Sequence, residues 1–476
     1  MTSAPPASTE TAPAPNLGLR GERGPVLIAV MASVALVALD ATVIATAVPS
    51  VVKDLGGFDQ FPWLFSIYLL TQAVSVPIYG KLADQFGRKP MMLFGIGVFL
   101  LGSVLCGSAW SLGSLIAFRA VQGLGAGAVQ PIAMTIIGDL YSVAERAKIT
   151  GYVAGVWGAS SVIGPSLGGL LTEYTSWRWI FWINIPVAVL AAWLLVKHFA
   201  ERTEPTPRTV DYLGATLVAG GFGLLILGLL EGGVAWDWSS GASVAVLGAG
   251  VLLLVAAGFV ERRAAEPVLP GWVFTDRVLI GANLAALTVG ALLFAFSSYV
   301  PTYVQTVIGT GPLVAGLALA ALTVGWPVAA TYSGRIYLAI GFRATALIGT
   351  AFTLAGTLLA AWLLGPSANV WQVAGAMVVV GFGLGLVNSP LIVALQSAVG
   401  WTRRGVATGT NMFARSIGSA LGVAVFGAVA NTTLAHGTDR AHVATASQHV
   451  YTGLIVVAVL MIVAVLLVPR KVPAAE

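Results

Sequence analysis

Polar residues in this chain fall in short clusters, and between them run fourteen apolar stretches, each near 20 residues long. A stretch of about 20 such residues crosses a bilayer core as one helix. Backbone groups in lipid must bond within their own segment, so helices are the expected form. The predicted spans are 26–48, 62–80, 90–109, 112–137, 147–171, 179–197, 211–230, 243–260, 278–304, 312–333, 344–364, 370–395, 405–430 and 450–468. The expected fold class is an all-α polytopic membrane protein.

Composition agrees, with 57% hydrophobic and 9% charged residues. Residues 1–25 are rich in Pro, Ala, Ser and Thr and lack a cleavable leader's pattern, so a disordered cytoplasmic tail is expected there, followed by a retained first span. Residues 471–476 are a second short tail. The net charge of +5 raises nucleic acid as a partner, and its distribution argues against it. Of the 24 basic residues, 19 fall in loops on one side once the spans alternate, among them Arg23, Lys81, Arg88, Lys89, Arg262, Arg343 and Arg470. Lys53, Arg178 and Arg440 fall on the other side, and Arg119 and Arg415 within spans. By the positive-inside rule both termini are cytoplasmic, in a cell membrane. Trp63, Trp110, Trp177, Trp179, Trp236, Trp238, Trp371 and Trp401 sit at span ends, as an interfacial belt requires. The lone cysteine, Cys106, rules out an internal disulfide and reads as a small core residue.

The chain repeats itself. Gly80, Leu82, Gly87 and Lys89 after span 2 are echoed by Gly334, Ile336, Gly341 and Arg343 after span 10, 254 residues on. Arg146, Thr150 and Gly151 are echoed by Arg404, Thr408 and Gly409, 258 residues on. Two related six-helix bundles, 26–197 and 278–470, explain both echoes, with 198–277 inserted between them as two further helices. Parallel repeats of this kind are a transporter plan, with the substrate held between the halves near the midplane.

Five motifs then carry a resemblance. Gly80, Leu82, Ala83, Asp84, Gly87, Arg88 and Lys89 fit G-x-L-A-D-x-x-G-R-K, the signature between spans 2 and 3 of the major facilitator superfamily. Leu39 to Pro49 resembles the span 1 signature of its fourteen-span drug:proton antiporter branch. Arg119, Gln122 and Gly123 resemble the span 4 signature. Gly164, Pro165, Gly168 and Gly169 resemble the span 5 antiporter signature, with Ser160 where glycine often stands. Trp177 to Pro186 resembles the branch's approach to span 6. The resemblance spans residues 26–470 and implies a major facilitator fold and proton-coupled export.

Asp40 lies about eight residues below the outer end of span 1, or ~12 Å at 1.5 Å per residue. Arg119 reaches a similar depth in span 4. Ionised groups at such depth cost roughly 2.5–3.5 kcal/mol each and are functional by default. Asp40 is therefore the expected proton site with Arg119 as partner; a fixed structural salt bridge is the alternative. Arg415 has no acid at its depth in its own half, leaving a cross-bundle pair, a carbonyl or an anionic group on the substrate open. Gln122, Trp157, Asn283, Trp326, Asn388, Asn411 and Arg415 form the expected cavity lining, with helix-to-helix hydrogen bonds or core packing as the plain reading. The resemblance implies a cytoplasmic latch: Asp84 caps a helix in the other half, Arg88 and Lys89 pair near Asp139, and Gly80 and Gly87 shape the turn. The alternative is that these basic residues only fix orientation. The glycines of span 5 with Pro165 are expected to seal one side of the interface between halves, or simply to pack in lipid.

No phosphate-cradling loop is present, so ATP is not the expected fuel. No His or Glu cluster within spans suggests an enzyme, and no cofactor or metal is expected. His436, His442 and His449 fall in the loop between spans 13 and 14. The expected function is proton-coupled export of amphipathic or hydrophobic small molecules such as drugs, by a monomer in contact with lipid and protons. Export of lipid or an envelope glycolipid, or proton-driven uptake, are the alternatives.

Overall fold

The computed structural model describes residues 21, 23–141, 143–201, 211–264, 267, 269–363, 365, 368–400 and 403–470. The expected tails lie almost wholly outside the described residues, as does Trp401. The helices are α1 (Gly24–Leu55), α2 (Trp63–Phe86), α3 (Arg88–Gly107), α4 (Leu112–Leu140), α5 (Val143–Tyr174), α6 (Trp179–Trp182), α7 (Asn184–His198), α8 (Tyr212–Glu231), α9 (Gly241–Glu261), α10 (Arg277–Tyr303), α11 (Pro312–Ile340), α12 (Phe342–Leu363), α13 (Val370–Ser397), α14 (Arg404–Leu434) and α15 (Arg440–Leu467). With α6 and α7 as one broken span, they make fourteen crossings of an all-α, multi-pass membrane protein. Thirteen segments meet the length and apolarity of a membrane span. The fourteenth, α5, has 32 residues and a glycine- and serine-rich middle.

Caps set the boundaries. Ser111 and Ser114 form a capping box at the start of α4, and Asn369 and Gln372 form one at α13. Asp276 caps α10 and Asp439 caps α15. Each cap satisfies backbone N–H groups that a helix start leaves open. The cap at Asp439 explains one difference from expectation. Span 14 begins at Arg440 rather than 450, so His442 and His449 are helical, and apolarity alone does not mark two polar turns. Gly87 and Gly341, with φ of 98° and 88°, end α2 and α11. Both repeats keep glycine there because only it adopts this conformation cheaply.

Helices α1–α7 pack on one another, and so do α10–α15. Helix α8 lies against both α2 and α14, and α9 packs mainly on α8. The end at which α1 begins carries Arg23, Lys81, Arg88, Lys89, Arg343 and Arg403 and is termed the basic end; the other is the far end.

The halves meet along α5–α11, α2–α14 and α1–α10. Hydrogen bonds across this seam run from mid-depth to the far end. Thr323 Oγ1 donates to Ser161 O (2.8 Å), Ser66 Oγ to Ala420 O (3.1 Å) and Gln305 Nε2 to Thr46 O (3.0 Å). Leu313 N donates to Glu173 Oε2 (3.1 Å) and Asn431 Nδ2 to Asp59 O (3.0 Å). Glycine permits the closeness: a Cβ on Gly169 would lie 2.5 Å from Pro312 O, and one on Gly316 would strike Pro165 O. Toward the basic end the same helices separate. A Cβ on Gly80, Gly155, Gly334 or Gly409 would meet no atom within 4 Å. The halves are thus clamped at the far end and parted by a cleft at the basic end.

A wedge in the seam tests this clamp. Overpacking costs about 1–3 kcal/mol, enough to shift nearly balanced conformers. Gly316→Leu is expected to raise maleimide labelling of a Thr323→Cys reporter, buried in the seam, several-fold. Unchanged labelling contradicts the clamp.

Candidate functional site

Asp40 and Arg119 meet in the interior of the first bundle, each with 1% of its side chain exposed. Arg119 Nη1 donates to Asp40 Oδ2 at 2.6 Å. The other oxygen, Oδ1, accepts from Gln122 Nε2 (2.7 Å) and Asn184 Nδ2 (3.0 Å). Arg119 is held further by Leu64 O (3.1 Å), Gln122 Oε1 (2.8 Å) and the face of Tyr68, 4.0 Å from the ring centre. Asn184 also donates to Ser103 Oγ (2.9 Å), and Ser103 to Phe181 O (2.9 Å). The carboxylate therefore ties α1 to α4 and α7, with α3 one bond away.

The local sequence explains the geometry. Arg119 and Gln122 stand three residues apart, on one face of α4. Gly102 lets α3 approach: a Cβ there would lie 2.5 Å from Gln122 N. Gly123 does the same toward α2, 2.5 Å from Tyr68 O. Asn184 opens α7 just after the break that follows α6, so its amide points inward at mid-depth. A buried pair is tolerable when its remaining polar atoms are bonded, and here both oxygens of Asp40 and the Nε and Nη1 of Arg119 have partners.

The structure thus joins Asp40 and Arg119, as expected, but moves Gln122. It is wholly buried in the charge network and lines no cleft, because the three-residue spacing from Arg119 turns it to the same interior face. Sequence reasoning assigned no role to Asn184, Ser103 or Tyr68. The one available signal was an asparagine within the apolar and aromatic run from Trp179 to Pro186.

At the basic end Arg88 Nε lies 3.1 Å from Asp139 and Nη2 3.5 Å from Asp84. The ion pair of Asp84 with Arg88 lies within its own half. The start of α3 is capped by Glu201, whose carboxylate accepts from Arg88 N (2.5 Å) and Lys89 N (3.2 Å). Lys89 Nζ in turn donates to Val196 O and Phe199 O. Gly87 leaves room for that carboxylate, 2.7 Å from where a Cβ would stand. Glu201 is 112 residues from Lys89, and no local pattern announces it.

The span 5 glycines divide by direction. Gly164 and Gly168 face Thr42, Val43 and Thr46 of α1, inside their own half. Gly169, with the carbonyl of Pro165, faces α11 across the seam. The expectation that all four seal the interface therefore fails for Gly164 and Gly168: one helix this smooth packs on two neighbours at once. Gly418 and Gly422 of α14 play the matching part against Leu287 and Ala291 of α10.

In the second half Asn411 Nδ2 donates to Asn283 Oδ1 and to Ala282 O, each at 3.1 Å. Asn388 and Asn411 border a narrow groove among α10, α13 and α14. Trp157 and Trp326 are half-buried beside Gly158 and Pro327, where a Cβ on Gly158 would lie 3.6 Å from the proline ring and the seam gives way to the cleft. Arg415 is half-buried at mid-depth on α14. Among the described residues no group of His, Cys, Asp and Glu could hold a metal.

Comparison with known proteins agrees with this architecture. The family model described as Major Facilitator Superfamily matches residues 30–423. The chain is 36% identical over 404 residues to "Multidrug resistance protein 3" of Bacillus subtilis, covering 85% of this chain and 79% of that protein. It is 33% identical to "Efflux pump dotC" of Dothistroma septosporum, covering 84% and 70%. Among solved structures, a D-xylose-proton symporter aligns with a TM-score of 0.66 at 14% identity, over 94% of this chain and 98% of that one. A bacterial homolog of the lysosomal transporter Spinster, inward-facing and unoccupied, aligns with a TM-score of 0.66 at 16% identity, over 94% and 96%. With its two helical halves clamped at one end and parted at the other, the chain belongs to the major facilitator superfamily of membrane transporters.

Proposed function

We propose that the protein is a proton-coupled secondary exporter of amphipathic small molecules, acting as a monomer with its basic end in the cytoplasm. The observation that carries this reading is the sealed Asp40–Arg119 pair at mid-depth, with Asp40 on a helix of the seam. The multidrug and efflux relatives support the export direction, and the excess of basic residues at one end supports the orientation.

The mechanism follows from the bonds. In the conformer described here Asp40 is sealed, and its charge holds α1 to α4 and α7. Helix α1 in turn carries Thr46, which accepts Gln305 across the seam, and the surface on which Gly164 and Gly168 of α5 rest. A proton on Asp40 removes the charge from its bonds to Arg119, Gln122 and Asn184. Arg119 keeps Leu64 O, Gln122 and Tyr68, so it is not left bare. Helix α1 is then freer to shift, and the far-end clamp with it. Opening there lets a proton in from the far side and lets substrate out; when the far end closes again the proton leaves toward the basic end, where the cleft takes up the next substrate. One proton crossing ~100 mV yields about 2.3 kcal/mol, and each unit of pH difference adds about 1.4 kcal/mol. Together they sustain a solute gradient of a few hundredfold.

Two outcomes test this. In proteoliposomes with an imposed pH gradient, Asp40→Asn is expected to cut gradient-driven transport at least about tenfold while leaving substrate affinity within about threefold, the pattern of lost coupling rather than lost binding. Full gradient-driven transport by the variant removes Asp40 from the coupling role. Thermal unfolding of the purified protein checks the network. Arg119→Leu strands the carboxylate and is expected to cost roughly 3–5 kcal/mol, and pairing it with Asp40→Asn should recover much of that loss. Additive losses in the double variant mean that the two groups are not coupled.

A further inference from the structure

Among the described residues, three charges stand at mid-depth in the spans: Asp40, Arg119 and Arg415. The first two cancel within the first bundle. Arg415 has no such relief. Its guanidinium makes no hydrogen bond, ion pair or aromatic stack with the described residues, yet the residue is only half-buried.

The helix face on which it stands shows where it looks. Thr408, Asn411, Arg415 and Ser419 follow one another at helical spacing and form one stripe of α14. Thr408 accepts from Gln396 of α13 (3.1 Å), and Asn411 donates to Asn283 of α10. Ser419 stands against Gly290 of α10. The stripe therefore looks toward α10 and α13, away from lipid. One turn from Arg415, the groove walled by Ala286, Val289 and Leu391 carries the amides of Asn388 and Asn411 at its rim.

The acids argue the same way. From α10 onward, the described residues contain two carboxylates, Asp276 and Asp439, and both are spent as caps at helix starts. Asp40 is sealed behind Arg119, Gln122 and Asn184. No carboxylate among the described residues is left at mid-depth to receive a cation, while an unpaired planar donor fork is in place for an anion. A guanidinium binds carboxylate, sulfonate or phosphate oxygens in pairs, and this gains strength away from water.

We propose that Arg415 receives an anionic group of the transported amphipath, and that the cleft disfavours fixed cations. This rests on the reading of the protein as a transporter of amphipaths and adds the charge of the cargo. Tetraphenylborate and tetraphenylphosphonium share shape and apolar surface and differ in sign, which makes them the matched probes. Binding of each is measured to the full chain in phosphatidylcholine nanodiscs, with protein-free discs subtracted. The wild type is expected to bind the borate at least about tenfold more tightly than the phosphonium, the size of one charge-assisted contact. Arg415→Lys should keep most of this preference and Arg415→Gln should reduce it to about threefold or less. Asp40→Asn should leave it intact, so that loss of proton coupling and loss of anion selection are read separately. Equal or tighter binding of the phosphonium by the wild type, which needs no variant, overturns the proposal. So does a preference that survives Arg415→Gln.

Discussion

A carboxylate in the middle of a membrane protein must be paid for by its neighbours, and Asp40 dictates much of the first bundle for that reason. It needs a cation, which Arg119 supplies, and donors for its second oxygen, which Gln122 and Asn184 supply. Those residues must arrive from two helices, α4 and α7, at the depth of Asp40. The glycines that look redundant in sequence, Gly102 and Gly123, are what let α3 and α2 come close enough to α4. Removing Arg119 alone leaves the carboxylate buried without a cation, whereas neutralising Asp40 leaves Arg119 its contacts with Leu64 O, Gln122 and Tyr68. In the proposed mechanism that asymmetry makes the arrangement firm in one protonation state and slack in the other.

The second constraint is the seam. Cross-half contacts that depend on glycine and on backbone carbonyls are tight but carry few side chains, so they part without disturbing a core. Helix α5 presents Gly164 and Gly168 to α1 and Gly169 to α11. A shift of α1 is thus felt at the junction of the halves through one rigid helix. Helix α8, lying across α2 and α14, adds a strap at the other junction: Trp63 Nε1 donates to Glu231 at 2.9 Å, and Phe222 packs edge-on against Phe413. The inserted helices consequently touch both moving parts.

Much of this was legible in the sequence, because each signal had a direct physical cause. Apolar stretches near 20 residues long gave the number of crossings, and the lone acid and base at matched depth gave the pair. The repeat spacing showed the two turns that require glycine. What escaped had tertiary causes. Glu201 caps α3 from far along the chain. Asn184 differs from any membrane asparagine only through its neighbours in space. Gln122 went to the wrong site because motif membership says nothing about which way a residue faces. Gly164 and Gly168 differ from Gly169 by rotation about the helix, and the direction of the other half cannot be read from one helix alone.

Spin labels at Gly155→Cys and Gly334→Cys, on the separated faces of α5 and α11, report the opening of the cleft directly. Distance distributions between them at pH 8, in the native background and with Asp40→Asn, test whether the charge on one buried group holds the halves in this arrangement. The account predicts a dominant long distance with Asp40 present, and growth of a shorter population once its charge is gone. Identical distributions in the two proteins contradict it.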